Sequence, residues 1–198
     1  MTARDDILAA VRRALADADP TPVAVARAYR DTPPPPDPVA LFVERAAEYR
    51  AHVVRCAEAD IPAIVAAAVG PAARVLLPPG FPYPVAGQVD AGETAAQLDG
   101  FDAVVTTAAL AIATTGTLVL DHGPGQGRRA LTLVPDTHFC LVRADQVVAD
   151  VPAAVAALDP ARPQTWISGP SATSDIELTR VEGVHGPRTL HILVVDPA

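Results

Sequence analysis

Two short segments near the carboxyl end of this sequence gather side chains able to hold an anion. The first, Ser168-Gly169-Pro170-Ser171-Ala172-Thr173-Ser174-Asp175-Ile176-Glu177, sets hydroxyls at 171, 173 and 174 beyond a Gly-Pro turn. Gly169 permits the turn, and Ser174 or Asp175 suits a helix N-cap. The second is Glu182-Gly183-Val184-His185-Gly186-Pro187-Arg188. Arg188 offers a fork that gives two parallel hydrogen bonds to a carboxylate or phosphate, and His185 can donate, accept or transfer a proton near neutral pH. A third segment, Thr114-Thr115-Gly116-Thr117, combines hydroxyls with a flexible glycine, a pattern that binds anions through backbone N–H groups and threonine side chains. The expected ligand-binding set is Thr115, Gly116, Thr117, Gly169, Ser171, Thr173, Gly183, Gly186 and Arg188. His185, Glu177 and Asp175 are the candidate catalytic groups. For each segment the competing reading is structural: a turn entering a strand, a capped loop, or a histidine hydrogen-bonded in a turn.

Other polar residues are less pointed. His122 precedes Gly123-Pro124-Gly125-Gln126-Gly127-Arg128-Arg129, which reads as an exposed hairpin loop able to close over a ligand. It is no dinucleotide fingerprint, because no helix follows it. His138 lies between apolar pieces and is expected near the same sheet edge, whereas His52 and His191 read as structural. The five histidines lack close ligand spacing, so no intrinsic metal site is expected. Two cysteines, Cys56 and Cys140, are too few for an iron–sulfur cluster, which four thiolates usually hold, and they form no disulfide framework. All fifteen basic residues are arginine, and the absence of lysine excludes Schiff-base and P-loop lysine chemistry. A net charge of −8 with no basic cluster larger than an arginine pair argues against phosphate-tracking nucleic-acid binding.

The elements that must position these groups follow from apolar periodicity. Residues 4–16 carry Ile7, Leu8, Val11 and Leu15 on one helical face, behind a Thr2/Asp5 capping box. Residues 17–38 hold seven prolines and read as an extended linker, so residues 1–37 form an N-terminal helix and proline-rich arm and 38–198 the main domain. Helices are expected over 38–59, 61–69, 91–98 and 147–158, with a helical turn at 108–113. Strands are expected at 74–77, 103–106, 117–120, 139–142, 165–167 and 190–195. Strands apolar on both faces require a sheet covered on both faces. The expected fold class is therefore α/β, an open, mostly parallel sheet with helices on both faces, with an antiparallel hairpin within 117–142. No apolar run approaches the length of a membrane span, and the N-terminus lacks a signal-peptide core, so the expected location is cytoplasmic.

The two C-terminal segments, Ser168-Gly169-Pro170-Ser171-x-Thr173-x-Asp175-Ile176-Glu177 and Val181-x-Gly183-Val184-His185-Gly186-Pro187, closely resemble the signature of the LutC/YkgG family of LUD-domain lactate-utilisation proteins. Thr115-Gly116-Thr117 and residues 131–138 are similar to further family motifs. The resemblance implies a fold like the NagB/RpiA/CoA-transferase group. It also implies a role in oxidising L-lactate to pyruvate alongside partner proteins that carry iron–sulfur clusters, with no cofactor intrinsic to this chain. Relatives often carry Glu where this chain has Thr114. By analogy with CoA transferases that carboxylate would be a nucleophile or base, a task Thr114 cannot perform unaided. A non-redox subunit binding a small carboxylate or phosphate-type ligand is thus the leading expectation. A stand-alone CoA-transferase-like or sugar-phosphate-type enzyme, and a structural or regulatory interaction module, are the alternatives.

Overall fold

The computed structural model describes residues 2–19, 21–25, 33–170 and 186–197. The chain divides into two units, Met1–Pro33 and Pro34–Ala198. In the first unit, helix α1 spans Ala3–Ala14. The capping box forms: Thr2 Oγ1 accepts from the Asp5 N–H, and the Asp5 carboxylate accepts from the Thr2 N–H at 2.9 Å. Asp5 and Asp6 in the first turn and Arg12 and Arg13 in the last complement the helix dipole. No residue of α1 is buried.

The second unit begins with α2 (Pro38–Glu48), capped by the Asp37 carboxylate on the Ala40 N–H. There follow β1 (His52–Cys56), α3 (Ile61–Val69), β2 (Val75–Leu77), β3 (Gln88–Val89), α4 (Ala95–Leu98) and β4 (Ala103–Thr107). Then come β5 (Leu110–Ile112), β6 (Thr117–Leu120), β7 (Thr137–Arg143), β8 (Val147–Val148), α5 (Val151–Ala157), β9 (Thr165–Ile167) and β10 (Thr189–Val195). Six strands form a parallel sheet in the order β1-β10-β7-β4-β2-β3. A smaller sheet, β8-β5-β6-β9, is mixed: β6 runs antiparallel to β5 and β9, and β8 is parallel to β5.

Strand alternation sorts the large sheet's side chains into two cores. Ala103, Val105, Phe139, Leu141, Leu193 and Val195 face α3, whose Ile61 and Val65 complete that layer. Cys140, Val142, Leu190, Ile192 and Val194 face the other way, onto Leu118 and Leu120 of β6 and Phe42 and Ala46 of α2. Helices therefore lie on both faces of an open, mostly parallel sheet. One face is shared with the small sheet, whose outer side α5 covers through Ala154.

Three expectations change. The helix expected over 38–59 stops at Glu48. Arg50 takes a left-handed conformation (φ 65°), and the Arg50 and Ala51 N–H groups bond back to the Ala47 and Ala46 carbonyls, a Schellman closure without the customary glycine. Residues 52–56 then become an edge strand paired with β10, where β-branched Val53 and Val54 fit the pleat. The helical turn expected at 108–113 is strand β5, which makes the antiparallel hairpin with β6, so the hairpin lies over 110–120 and not within 117–142, where β7 joins the parallel sheet. Residues 147–148 pair with β5, so the helix expected from 147 starts only at Val151, capped by Asp150.

Candidate functional site

The turn Ala113–Thr115 joins β5 to β6, with Gly116 left-handed at φ 61°. A Cβ at Gly116 would lie 2.6 Å from the Ala46 nitrogen and the Arg45 carbonyl carbon, so this glycine lets the backbone of α2 close on the hairpin. Because β6 pairs with β9, Thr117 comes beside Ser168. Their hydroxyls lie 2.8 Å apart, and Thr115 Oγ1 lies 2.8 Å from Thr117 Oγ1, making a relay of three hydroxyls. Gly169 (φ 77°) follows, and a Cβ there would run into the Tyr49 carbonyl oxygen.

Past this relay, a hollow of about 170 Å³ opens between the small sheet and the amino-terminal ends of β7 and β10. Its lining includes Arg129, Thr132, His138, Trp166, Ser168 and Leu190. Residues 168–170 border it from one side and Gly186 and Pro187 from the other, so the described ends of the two C-terminal segments meet there. Polar burial concentrates around it. Thr106, Thr117, Gln126, Thr132 and His138 are the buried polar residues among those described. Of these, His138 and Thr132 line the hollow, Thr106 contacts His138, and Thr117 contacts Ser168.

His138 is held on the inner face of β7. Thr106 Oγ1 lies 2.8 Å from His138 Nε2 and 3.7 Å from Cys140 Sγ, so Nε2 faces a hydroxyl that can donate or accept. Burial, aided by the positive charge of Arg129, pushes the His138 pKa down to about 3, so the ring is neutral at physiological pH. Burial likewise raises the Cys140 thiol to about 12, which removes it as a nucleophile. Arg129 donates from Nη1 to Thr132 Oγ1 at 3.0 Å, and partial burial lowers its pKa. Among the described residues no carboxylate pairs with Arg129, and none lines the hollow.

The expected site residues divide accordingly. Gly169 and Gly186 border the hollow; Thr115 and Thr117 reach it through Ser168; Gly116 packs on α2. Arg188 is directed elsewhere, with Nε donating to Asp136 Oδ1 at 3.0 Å and Nη2 donating to Asp136 Oδ2. Ser171, Thr173, Asp175, Glu177, Gly183 and His185 lie outside the described residues. Sequence reasoning missed Arg129 and Thr132. The Arg128-Arg129 pair after a glycine-rich loop was the available signal, but nothing local separates the two: Arg128 forms a bidentate pair with Asp90, which holds that carboxyl well below its usual range.

The glycine-rich loop is pinned to the body. Gly125 exchanges backbone bonds with Thr107 and Pro79, Gln126 is buried, and His122 donates from Nδ1 to the Gly127 carbonyl at 2.8 Å. A second, larger cleft of about 760 Å³ lies at the carboxyl ends of β4 and β7, the region where open α/β sheets commonly bind ligands. Its arginines are neutralised locally, Arg162 by Asp121 at 2.8 Å and Arg143 by Asp145 at 2.9 Å. Among the described residues there is no group of three His, Cys, Asp or Glu side chains that could hold a metal, and no helix is long and apolar enough to cross a membrane.

The LUD domain profile matches residues 84–195, more than half of the chain. Lactate utilization protein C of Deinococcus radiodurans is 43% identical over 98% of this chain and 95% of its own length. Lactate utilization protein C of Halalkalibacterium halodurans is 36% identical over 48% of this chain and 45% of its own length. Among solved structures, a DUF162 family protein from Deinococcus radiodurans, determined at 1.70 Å, superimposes with a TM-score of 0.67 at 40% identity, covering 80% of this chain and 96% of that one. The chain belongs to the LUD-domain family, in its LutC branch.

Proposed function

We propose that this chain is a non-redox subunit serving the oxidation of L-lactate to pyruvate, acting beside iron–sulfur partner proteins and holding a small anion where residues 168–170 and 186–188 approach each other. The observation that carries this reading is its 43% identity, end to end, with a Lactate utilization protein C. Redox chemistry is assigned to partners because the chain's two cysteines are both buried and too few for a cluster. Anion binding is favoured by a hollow that no carboxylate lines among the described residues, in a protein of net charge −8. Ser171, Thr173, Thr115 and Thr117 are assigned as hydrogen-bond donors, while Arg188, the anchor expected from sequence, is taken up by Asp136. His185 is assigned to the reacting or recognised group, with Asp175 and Glu177 orienting the donors.

The test is genetic and biochemical. Expressed in a Deinococcus radiodurans strain lacking its Lactate utilization protein C, this chain is expected to restore growth on L-lactate and to co-purify with iron–sulfur proteins. Soluble expression without restored growth contradicts the reading. The 760 Å³ cleft favours a second reading, an enzyme acting on larger acyl-CoA or sugar-phosphate substrates. Turnover of such substrates by the purified chain would select it.

A further inference from the structure

We infer that the hollow between the sheets is a binding site for a small aliphatic monocarboxylate carrying a neighbouring hydroxyl or keto oxygen, with Arg129 as the carboxylate anchor and His138 as the reader of the second oxygen. The inference deepens the preceding reading and rests on it for the identity of the acid.

Size narrows the ligand first. A cavity of 150 Å³ accommodates roughly six non-hydrogen atoms, the size of benzene. A hollow of about 170 Å³ therefore has room for a two- to four-carbon acid. Charge narrows it further. Arg129 brings a guanidinium to the wall with Thr132 as its hydrogen-bond partner, and among the described residues no acid neutralises it. Arg129 is exposed, and one arginine without an acidic partner among the described residues matches the single negative charge of a carboxylate.

The buried polar wall supplies the rest. His138 is 1% exposed and touches the hollow, yet Thr106 is its hydrogen-bond partner among the described residues. Nε2 faces Thr106, and Nδ1, with no hydrogen-bond partner among the described residues, accepts from a ligand hydroxyl or donates to a keto oxygen according to the tautomer. A keto oxygen also draws on the Ser168 hydroxyl, because the Thr132 hydroxyl donates to the Arg129 carbonyl. An apolar wall made by Leu190 and Ile167 leaves room for a methyl group. A ring fixed neutral beside an arginine contributes hydrogen bonding without competing for the anion. That combination distinguishes this wall from the larger cleft, where each arginine has its own aspartate.

The full chain is titrated with L-lactate, pyruvate, propionate, propane-1,2-diol and inorganic phosphate in an isothermal calorimeter. L-lactate or pyruvate is expected to give a saturable heat, propionate a weaker one, and the diol and phosphate none over the same range. Arg129→Gln is expected to weaken binding about tenfold or more, the loss typical of a charge-assisted pair. Ser168→Ala, at the rim and independent of the buried histidine, is expected to weaken it severalfold, and far-ultraviolet circular dichroism checks that both variants fold. No saturable heat, equal binding of phosphate, or unchanged affinity in folded Arg129→Gln overturns the inference. Growth restored on lactate by a chain that binds no acid here rejects the hollow alone. Acid binding without restored growth rejects the lactate role alone.

Discussion

At the scale of single residues, His138 shows how position sets chemistry. The same imidazole on the surface would titrate near 6.5; here burial and Arg129 hold it at about 3. The folded chain therefore takes up this proton later than the unfolded chain as pH falls. Stability from this group is complete above about 6.5 and declines by about 1.4 kcal/mol per pH unit down to about 3. Replacing His138 with Gln is expected to flatten that acid limb by one proton, measured as the difference in urea-unfolding free energy between pH 7 and pH 4.5. An unchanged slope would mean that the ring is hydrated. Arg188 and Arg129 give the complementary lesson. Arg188 stands between glycine and strand in a motif, which made it the natural anchor by sequence. Its fork meets Asp136, which lies 52 residues away along the chain. Which arginine is already paired is a property of the folded chain, and sequence does not rank them.

At the scale of elements, glycine and hairpin geometry hold the candidate site in place. Gly116 is left-handed and sits against the backbone of α2, so a methyl group there meets both conformational strain and main-chain overlap. Gly116→Ala is expected to cost about 2 kcal/mol or more, read from the denaturation midpoint, and to loosen the Thr115–Thr117–Ser168 relay. Phe42, fully buried where α2 meets both sheets, tests the same junction from the other side. Phe42→Ala is expected to cost about 3–5 kcal/mol. Much of this layer was legible beforehand. The apolar runs around Val104, Val119, Leu141 and Leu193 announced strands covered on both faces, and Ile61–Val69 announced its helix. The end of α2 was not legible, because Arg50 occupies the left-handed position that glycine usually marks. Nor was β1, whose residues continue the helical apolar spacing and become a strand only through pairing with β10, far along the chain.

At the scale of the whole molecule, two layers of sheet make one wall each of the hollow, so the site exists only when both sheets are formed. A single parallel sheet with an inserted hairpin was the expectation. Separate closure of β8-β5-β6-β9 creates the space between sheets, and no local pattern encodes it. The N-terminal unit contributes no buried residue from α1, and its apolar Ile7, Val11 and Leu15 are 64%, 48% and 60% exposed. A crystal structure of the full chain grown with pyruvate tests the location of the site directly. A three-carbon acid is expected between the sheets, its carboxylate on Arg129 and its second oxygen within hydrogen-bond reach of His138 or Ser168. An acid bound in the large cleft by Arg143 or Arg162, or a hollow filled by protein side chains, would contradict it.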